Sequence, residues 1–224
     1  MQQAPKFKAS KLRQLLLSGR RYTFSKGEVI HSSIESKELN LVVKGYVKRY
    51  LISNDGRLGV QSIYGPEDIY PLTPVFKNLF DQDIYQGPET YHYEAMVEIK
   101  LYTIDLADLA RNATQDQLLY RDLLWVAGRR LQSNIQLLEN LALRNSLKRV
   151  AHQLAFYARQ FGEVKASGIK INLPLTHQDI ADILGITRET VSTCIAQLRQ
   201  EKLIRTGKNI TVPNIKNLEE AAYS

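Results

Sequence analysis

Residues 175–204 read LTHQDIADILGITRETVSTCIAQLRQEKLI. This stretch spells two helices joined by a tight turn. Thr176 is placed to cap the first helix, and Asp179, three residues on, closes a capping box. Ile180, Ala181 and Leu184 set an apolar stripe at helical spacing. Gly185 ends the helix, because a left-handed residue after the last turn costs glycine no Cβ clash. Ile186 anchors the turn, Thr187 caps the second helix, and Val191, Ile195 and Leu198 form that helix's apolar side. Arg188, Glu189, Ser192 and Thr193 fall on the opposite, solvent-facing side, from which a recognition helix meets base edges. Arginine matches the paired acceptors of guanine, and glutamate can accept from cytosine N4. The competing reading is an ordinary helical hairpin whose charged residues form a solvated face.

The flanks favour the first reading. Ile204 to Val212 reads as a hairpin with Gly207-Lys-Asn209 at its tip, and Ile169-Lys-Ile-Asn-Leu173 alternates like a strand. Strand, two helices and hairpin make a winged helix, with Lys208 at the wing tip within reach of a phosphate. The stretch resembles the DNA-binding domain of the CRP/FNR family of bacterial transcription regulators. The residues that carry the resemblance are Leu175-Thr-His-Gln-Asp-Ile-Ala181, Leu184-Gly185, Thr187-Arg-Glu-Thr-Val191 and Leu203-Ile204. It implies Arg188 and Glu189 as base readers, and Thr176, Gln178, Thr187 and Thr190 as phosphate contacts. The chain departs from the pattern at Thr193, where members resembling the cyclic-AMP receptor protein carry a second arginine. His177 reads either as a phosphate-side contact at a helix N-terminus or as a plain solvent-facing side chain.

Charge fits a polyanionic partner without requiring one: the net charge is +7 and the pI about 9.4. Over residues 148–208 ten basic residues stand against five acidic ones, so the excess includes the DNA-binding stretch. The one cysteine, Cys194, excludes an internal disulfide, a Cys-ligated zinc site and a cysteine-held iron–sulfur cluster. Its place inside the second helix suits a small packing residue better than a redox sensor. No apolar run approaches the ~18 residues of a membrane span, and Met1-Gln-Gln-Ala-Pro5 lacks a signal peptide's apolar core, so a cytoplasmic protein is expected.

Upstream, residues 1–20 hold a short helical pattern (Leu12, Leu15, Leu16), and from about 22 to 104 the text changes to short strands broken by turn residues. Asn54-Asp-Gly56 is a hairpin turn, since Asn and Gly tolerate positive φ. Many short strands at close spacing predict a sandwich or barrel. Here the resemblance extends over the whole chain. Lys26-Gly-Glu-Val-Ile30, Val43-Lys-Gly-Tyr-Val47, Asn54-Asp-Gly56 and Tyr64-Gly-Pro-Glu-Asp68 look like the double-stranded β-helix of the cyclic-nucleotide-binding fold. From about Asp105 to Arg144 the pattern turns helical. Leu124, Ala127, Leu131, Asn134, Leu138 and Leu141 fall at alternating spacings of three and four, an a/d seam that favours a two-chain coiled coil over a helix buried in one subunit, although Ile135, Leu137 and Ala142 broaden the stripe. Asn134 pairing with its twin would fix register at some cost in stability. The resemblance agrees, since this family dimerises through such a helix. Residues 146–161 form one more helix closed by Gly162, 163–168 bridge to the winged helix, and the polar tail beyond Pro213 receives no assigned structure.

The expected fold is therefore α+β: an N-terminal double-stranded β-helix (jelly roll) over 1–110, a long dimerisation helix over 111–145, and a C-terminal winged helix–turn–helix over 146–224. The four histidines, His31, His92, His152 and His177, have no mutual metal-ligand spacing, and no P-loop, Gly-x-Ser-x-Gly or paired-carboxylate motif occurs. No enzyme, metal or cofactor is expected. The expected function is a homodimeric regulator that binds a pseudo-palindromic double-stranded DNA site, with RNA polymerase as a further partner and no membrane. The alternative is a β-roll sensory or interaction module whose winged helix binds a protein. Cyclic AMP is not the expected effector. By the resemblance, a Gly-Glu pair of the phosphate pocket would align near Tyr70-Pro71 and its arginine near Glu89, where Pro71 offers no N–H and a carboxylate repels phosphate. No Arg or Lys occurs between Lys77 and Lys100 to restore the cation. Asn134 and Ile135 replace the hydroxyl pair that would meet the base.

Overall fold

The computed structural model describes residues 10–31, 37–54, 56, 58–80, 91–113 and 116–223. The readings placed on residues 1–5, 55 and 87–90, and on the His31 side chain, fall outside them. The chain divides into two compact units, Pro5–Leu131 and Gln132–Ser224.

In the first unit, α1 (Lys11–Leu17) is capped by Ser10, whose hydroxyl accepts the Arg13 N–H, and it buries Leu12 and Leu16. Among the described residues eight strands follow: β1 (Arg20–Phe24), β2 (Val29–His31), β3 (Glu38–Lys44), β4 (Val47–Ile52), β5 (Leu58–Tyr64), β6 (Ile69–Tyr70), β7 (His92–Ala95) and β8 (Ile99–Asp105). They pair antiparallel in two four-stranded sheets of order β1-β8-β3-β6 and β2-β7-β4-β5. The short strands predict such a sandwich, and the family resemblance implies its double-stranded β-helix form. The helix α2 (Thr73–Phe80), which the sequence reading did not assign, follows β6. After β8 come α3 (Leu106–Ala113) and α4 (Gln117–Ala142), whose first half belongs to this unit.

Among the described residues two apolar clusters hold the unit together. Leu12 and Leu16 of α1, Leu109 of α3 and Leu123 of α4 pack with Leu39 and Leu41 of β3. Directional bonds fix the same elements: the Leu12 N–H donates to Asp122 Oδ2 on α4 at 3.1 Å, and Arg13 makes a two-pronged ion pair with Glu67 at 2.6 and 3.0 Å. Arg129 of α4 reaches Asp68 at 3.4 Å while its guanidinium lies over the Trp125 ring. The second core lies between the sheets and is largely aromatic. Tyr70 stacks on Tyr93 at 4.9 Å and meets Tyr64 at a tilt at 4.8 Å, and all three are buried. Arg49 of β4 sits over the Tyr91 ring at 4.7 Å, and Arg130 of α4 sits over Tyr64 at 4.8 Å and donates to the Ser62 hydroxyl. These two guanidiniums come from outside residues 77–100, a span with no Arg or Lys between its ends.

In the second unit α5 (Ser146–Phe161) is the central helix. Asn145 caps it by accepting the Leu147 N–H at 2.7 Å, and Val150, Leu154, Tyr157 and Phe161 are among its buried residues. The stretch expected as a bridge is instead a strand, β9 (Gly162–Lys165), which turns into β10 (Gly168–Ile171). Then come α6 (His177–Leu184), α7 (Arg188–Gln200), β11 (Thr211–Val212) and α8 (Ile215–Tyr223). The tail left without structure is thus a helix, and it buries Ile215, Leu218 and Ala222. Arg159 on α5 pairs with Glu219 on α8, and Tyr223 meets the His152 ring edge-on at 5.7 Å.

Candidate nucleic-acid interface

The helix–turn–helix is built from caps. Thr176 Oγ1 accepts the Asp179 N–H at 3.0 Å and Asp179 Oδ2 accepts the Thr176 N–H at 2.8 Å, so the capping box of α6 is closed in both directions. Gly185 takes φ 61° and ψ 40° and returns its N–H to Ala181, which satisfies a carbonyl at the helix end. Thr187 then starts α7 by accepting the Thr190 N–H at 3.2 Å, and the two hydroxyls lie 2.9 Å apart. Val191, Cys194, Ile195 and Leu198 of α7 are buried. Cys194 is a packing residue, and burial raises its thiol pKa.

That burial leaves Arg188, Glu189 and Thr193 exposed. Arg188 and Glu189 carry no side-chain hydrogen bond or ion pair among the described residues. Thr193 Oγ1 donates to the Glu189 carbonyl at 3.1 Å, which leaves its lone pairs outward. Ser192 is placed differently. Its hydroxyl donates to the Arg188 carbonyl at 2.9 Å and lies 2.8 Å from His177 Nδ1, and both side chains are half-buried. His177 therefore belongs to the contact between the two helices, with Nε2 as its remaining polar atom. Nothing in the sequence points to this bond, because two residues 15 apart meet only through the crossing of α6 and α7. Thr176 and Gln178 are exposed at the start of α6, and the Gln178 amide donates to Asp182 at 2.7 Å.

The wing is held at its base. Arg205 and Thr211 exchange backbone bonds at 2.8 and 2.9 Å, β11 pairs with β10, and the Asn209 amide donates to the Ile171 carbonyl at 3.2 Å. Lys208 projects into solvent at the tip. Gly168, which opens β10, has φ 124°, and a Cβ there would lie 2.4 Å from the Val212 carbonyl oxygen. Gly168→Ala should therefore push the wing strand off its neighbour and destabilise this unit by roughly 1–3 kcal/mol. Urea unfolding followed by helix signal measures it; an unchanged midpoint would show that the sheet yields without cost.

Along α4, Leu124, Leu131, Leu138 and Leu141 are 69%, 61%, 66% and 56% exposed. Asn134 is exposed and Ala127 half-buried. Leu119, Leu123 and Val126, on the helix's other side, are buried. Among the described residues no group of His, Cys, Asp and Glu is placed to hold a metal ion, and no helix is long and apolar enough to cross a membrane.

Residues 148–221 match the family described as the Crp-like helix-turn-helix domain. The chain is similar to the "CRP-like cAMP-activated global transcriptional regulator" of Mycobacterium tuberculosis, with 26% identity covering 89% of this chain and 86% of that one. It is also similar to the "Global nitrogen regulator" of Synechococcus elongatus, with 26% identity covering 85% of this chain and 84% of that protein. In three dimensions it resembles FixK2 from Bradyrhizobium japonicum, with a TM-score of 0.74 and 23% identity, covering 90% of this chain and 96% of that structure. That last likeness carries the fold.

Proposed function

We propose that this chain, a DNA-binding transcription regulator of the CRP/FNR family, works as a homodimer on a pseudo-palindromic duplex and is not switched by cyclic AMP. The exposed leucines of α4 carry the dimer reading. Leu124, Leu131 and Leu138 repeat every seven residues with Leu141 on the alternate set, and all four stand in water in the single chain. Such a stripe marks an association surface. Ala127 and Asn134 complete the seam, and Asn134 against its twin sets the register. The three-part division into residues 1–110, 111–145 and 146–224 is part of the proposal.

At the DNA, Arg188, Glu189 and Thr193 face the bases with Ser192 behind them, and Thr176, His177, Gln178, Thr187, Thr190 and Lys208 face phosphates. The exposed, uncommitted side chains of Arg188 and Glu189 support the first assignment. Ser192 serves more by holding His177 and the Arg188 carbonyl than by reading a base. RNA polymerase is the further partner, and the protein's role is regulatory rather than catalytic. Selecting bound sequences from a random duplex pool, then titrating the winner across salt concentrations, tests the reading. Two inverted half-sites about one helical turn, ~34 Å, apart are expected, with affinity falling steeply as salt rises. A selected pool without dyad symmetry would overturn it.

One relative is named for activation by cyclic AMP. In this chain Tyr64, Tyr70 and Tyr93 cluster between the sheets, and Pro71 directly follows Tyr70 without an N–H to offer. Arg49 and Arg130 do bring cations to this interior, but both lie on tyrosine rings. Millimolar cyclic AMP is expected to leave both the melting temperature and the DNA affinity unchanged. A working pocket filled at 100 times its Kd would add about 2.7 kcal/mol to stability, a shift that thermal unfolding detects readily.

A further inference from the structure

Asn140, near the end of α4, is fully buried, while Leu138 and Leu141 beside it are among the chain's most exposed leucines. Its amide is used in three directions. The two N–H groups donate to the Arg149 carbonyl at 2.8 Å and to His152 Nδ1 at 3.2 Å, and Oδ1 accepts from Arg149 Nε at 3.4 Å. Arg149 carries the connection onward, because its Nη2 donates to the carbonyl of Leu184. Leu184 is the last residue of α6, one before the left-handed Gly185 turn that aims α7. One amide and one guanidinium thus join α4, α5 and the helix–turn–helix corner inside a single unit. That unit also carries the seam residues Asn134, Leu138 and Leu141.

We infer that Asn140 and Arg149 are the residues that fix the recognition helix relative to the seam end of α4, and so set which half-site spacing the protein accepts. The inference rests on the dimer reading above. Two apolar side chains at these positions would pack against each other over a range of rotations. Directional bonds to a fixed carbonyl hold one rotation, and leaving the buried Asn140 amide unsatisfied penalises the others. In a two-fold dimer the distance between the two copies of α7 follows from the angle each makes with the seam. A joint that holds this angle selects a spacing without touching a base, so Asn140 and Arg149 are positioning residues rather than readers.

The test uses the full chain and duplexes carrying two copies of the selected half-site, with their separation changed one base pair at a time. A duplex with one half-site is the control. Wild type is expected to favour one separation steeply. Asn140→Leu should shrink the ratio between best and neighbouring separations by roughly three- to tenfold while single half-site affinity stays within about twofold. Arg149→Lys, which keeps the charge but not the fork, should do the same and carries the test if Asn140→Leu does not fold. Arg159→Ala separates spacing from mere stability: it breaks the α5–α8 ion pair in the same unit, so it should lower the melting temperature with the spacing ratio intact. A folded Asn140 or Arg149 variant that keeps the wild-type ratio overturns the inference and leaves the dimer standing. A wild type indifferent to spacing overturns both.

Discussion

Arg188→Ala is expected to cost roughly 1–3 kcal/mol of affinity for the best-bound duplex and to relax the preference at one G·C pair. The expectation follows from where the side chain stands. Arg188 opens α7, is exposed, and has no partner among the described residues. Its loss therefore removes neither packing nor a cap, and alanine suits the helix at least as well as arginine. Whatever affinity disappears was spent on the duplex. Repeating the random-pool selection with the variant shows which base position has become degenerate. Lys208→Ala is the natural contrast: a wing-tip ammonium on a phosphate should weaken all sequences alike and flatten the salt dependence by about one unit. If the Arg188→Ala consensus matches that of wild type, the base-reading face has been misassigned.

Leu138→Asp should turn the protein into a monomer at micromolar concentration with its fold intact. In the single chain this side chain is 66% exposed, so exchanging it for a carboxylate falls among surface substitutions, usually within about 0.5 kcal/mol. In the proposed dimer the same change strikes twice. Each copy loses roughly 1.5–3 kcal/mol of apolar burial, and two aspartates then face each other across the axis. Sedimentation velocity reports the mass, and thermal unfolding reports the fold. DNA titration should show the full palindrome bound hardly better than one half-site. A variant that still sediments as a dimer would place the interface elsewhere than on α4.

The parts legible in sequence are those specified locally. The capping box at Thr176 and Asp179, the left-handed Gly185 and the Thr187 cap are each fixed by residues within one turn, and each stands as read. The strands of the β-roll announce themselves by alternation, although the pairing of β1 with β8, nearly eighty residues away, does not. What escaped was tertiary or weakly patterned. The strand β9 offers only Glu163-Val164-Lys165, with its one apolar side chain 63% exposed, so no inward face marks it. The helix α8 hides its apolar stripe of Ile215, Leu218 and Ala222 among polar neighbours. Its start signal, Asn214 accepting the Lys216 N–H at 3.0 Å, was nevertheless present to be read. Arg49 and Arg130 reach the tyrosine core from strand and helix positions that only the folded register brings together. The connection from Asn140 through Arg149 to Leu184 spans three helices, and no spacing rule contains it.

The chain has one tryptophan, Trp125, and it lies half-buried on α4 against the core of the first unit, under the Arg129 guanidinium. Its emission is thus a private optical channel for one half of the protein, because the unit that holds α6 and α7 has no indole at all. Far-ultraviolet ellipticity, by contrast, sums the helices of both. Melting curves recorded in the two channels superimpose only if the halves unfold together, and any gap between them measures the independence of the two halves directly. Duplex bound at α7 should move the ellipticity curve first, and a matching displacement of the indole curve would reveal how much of that binding energy crosses the molecule.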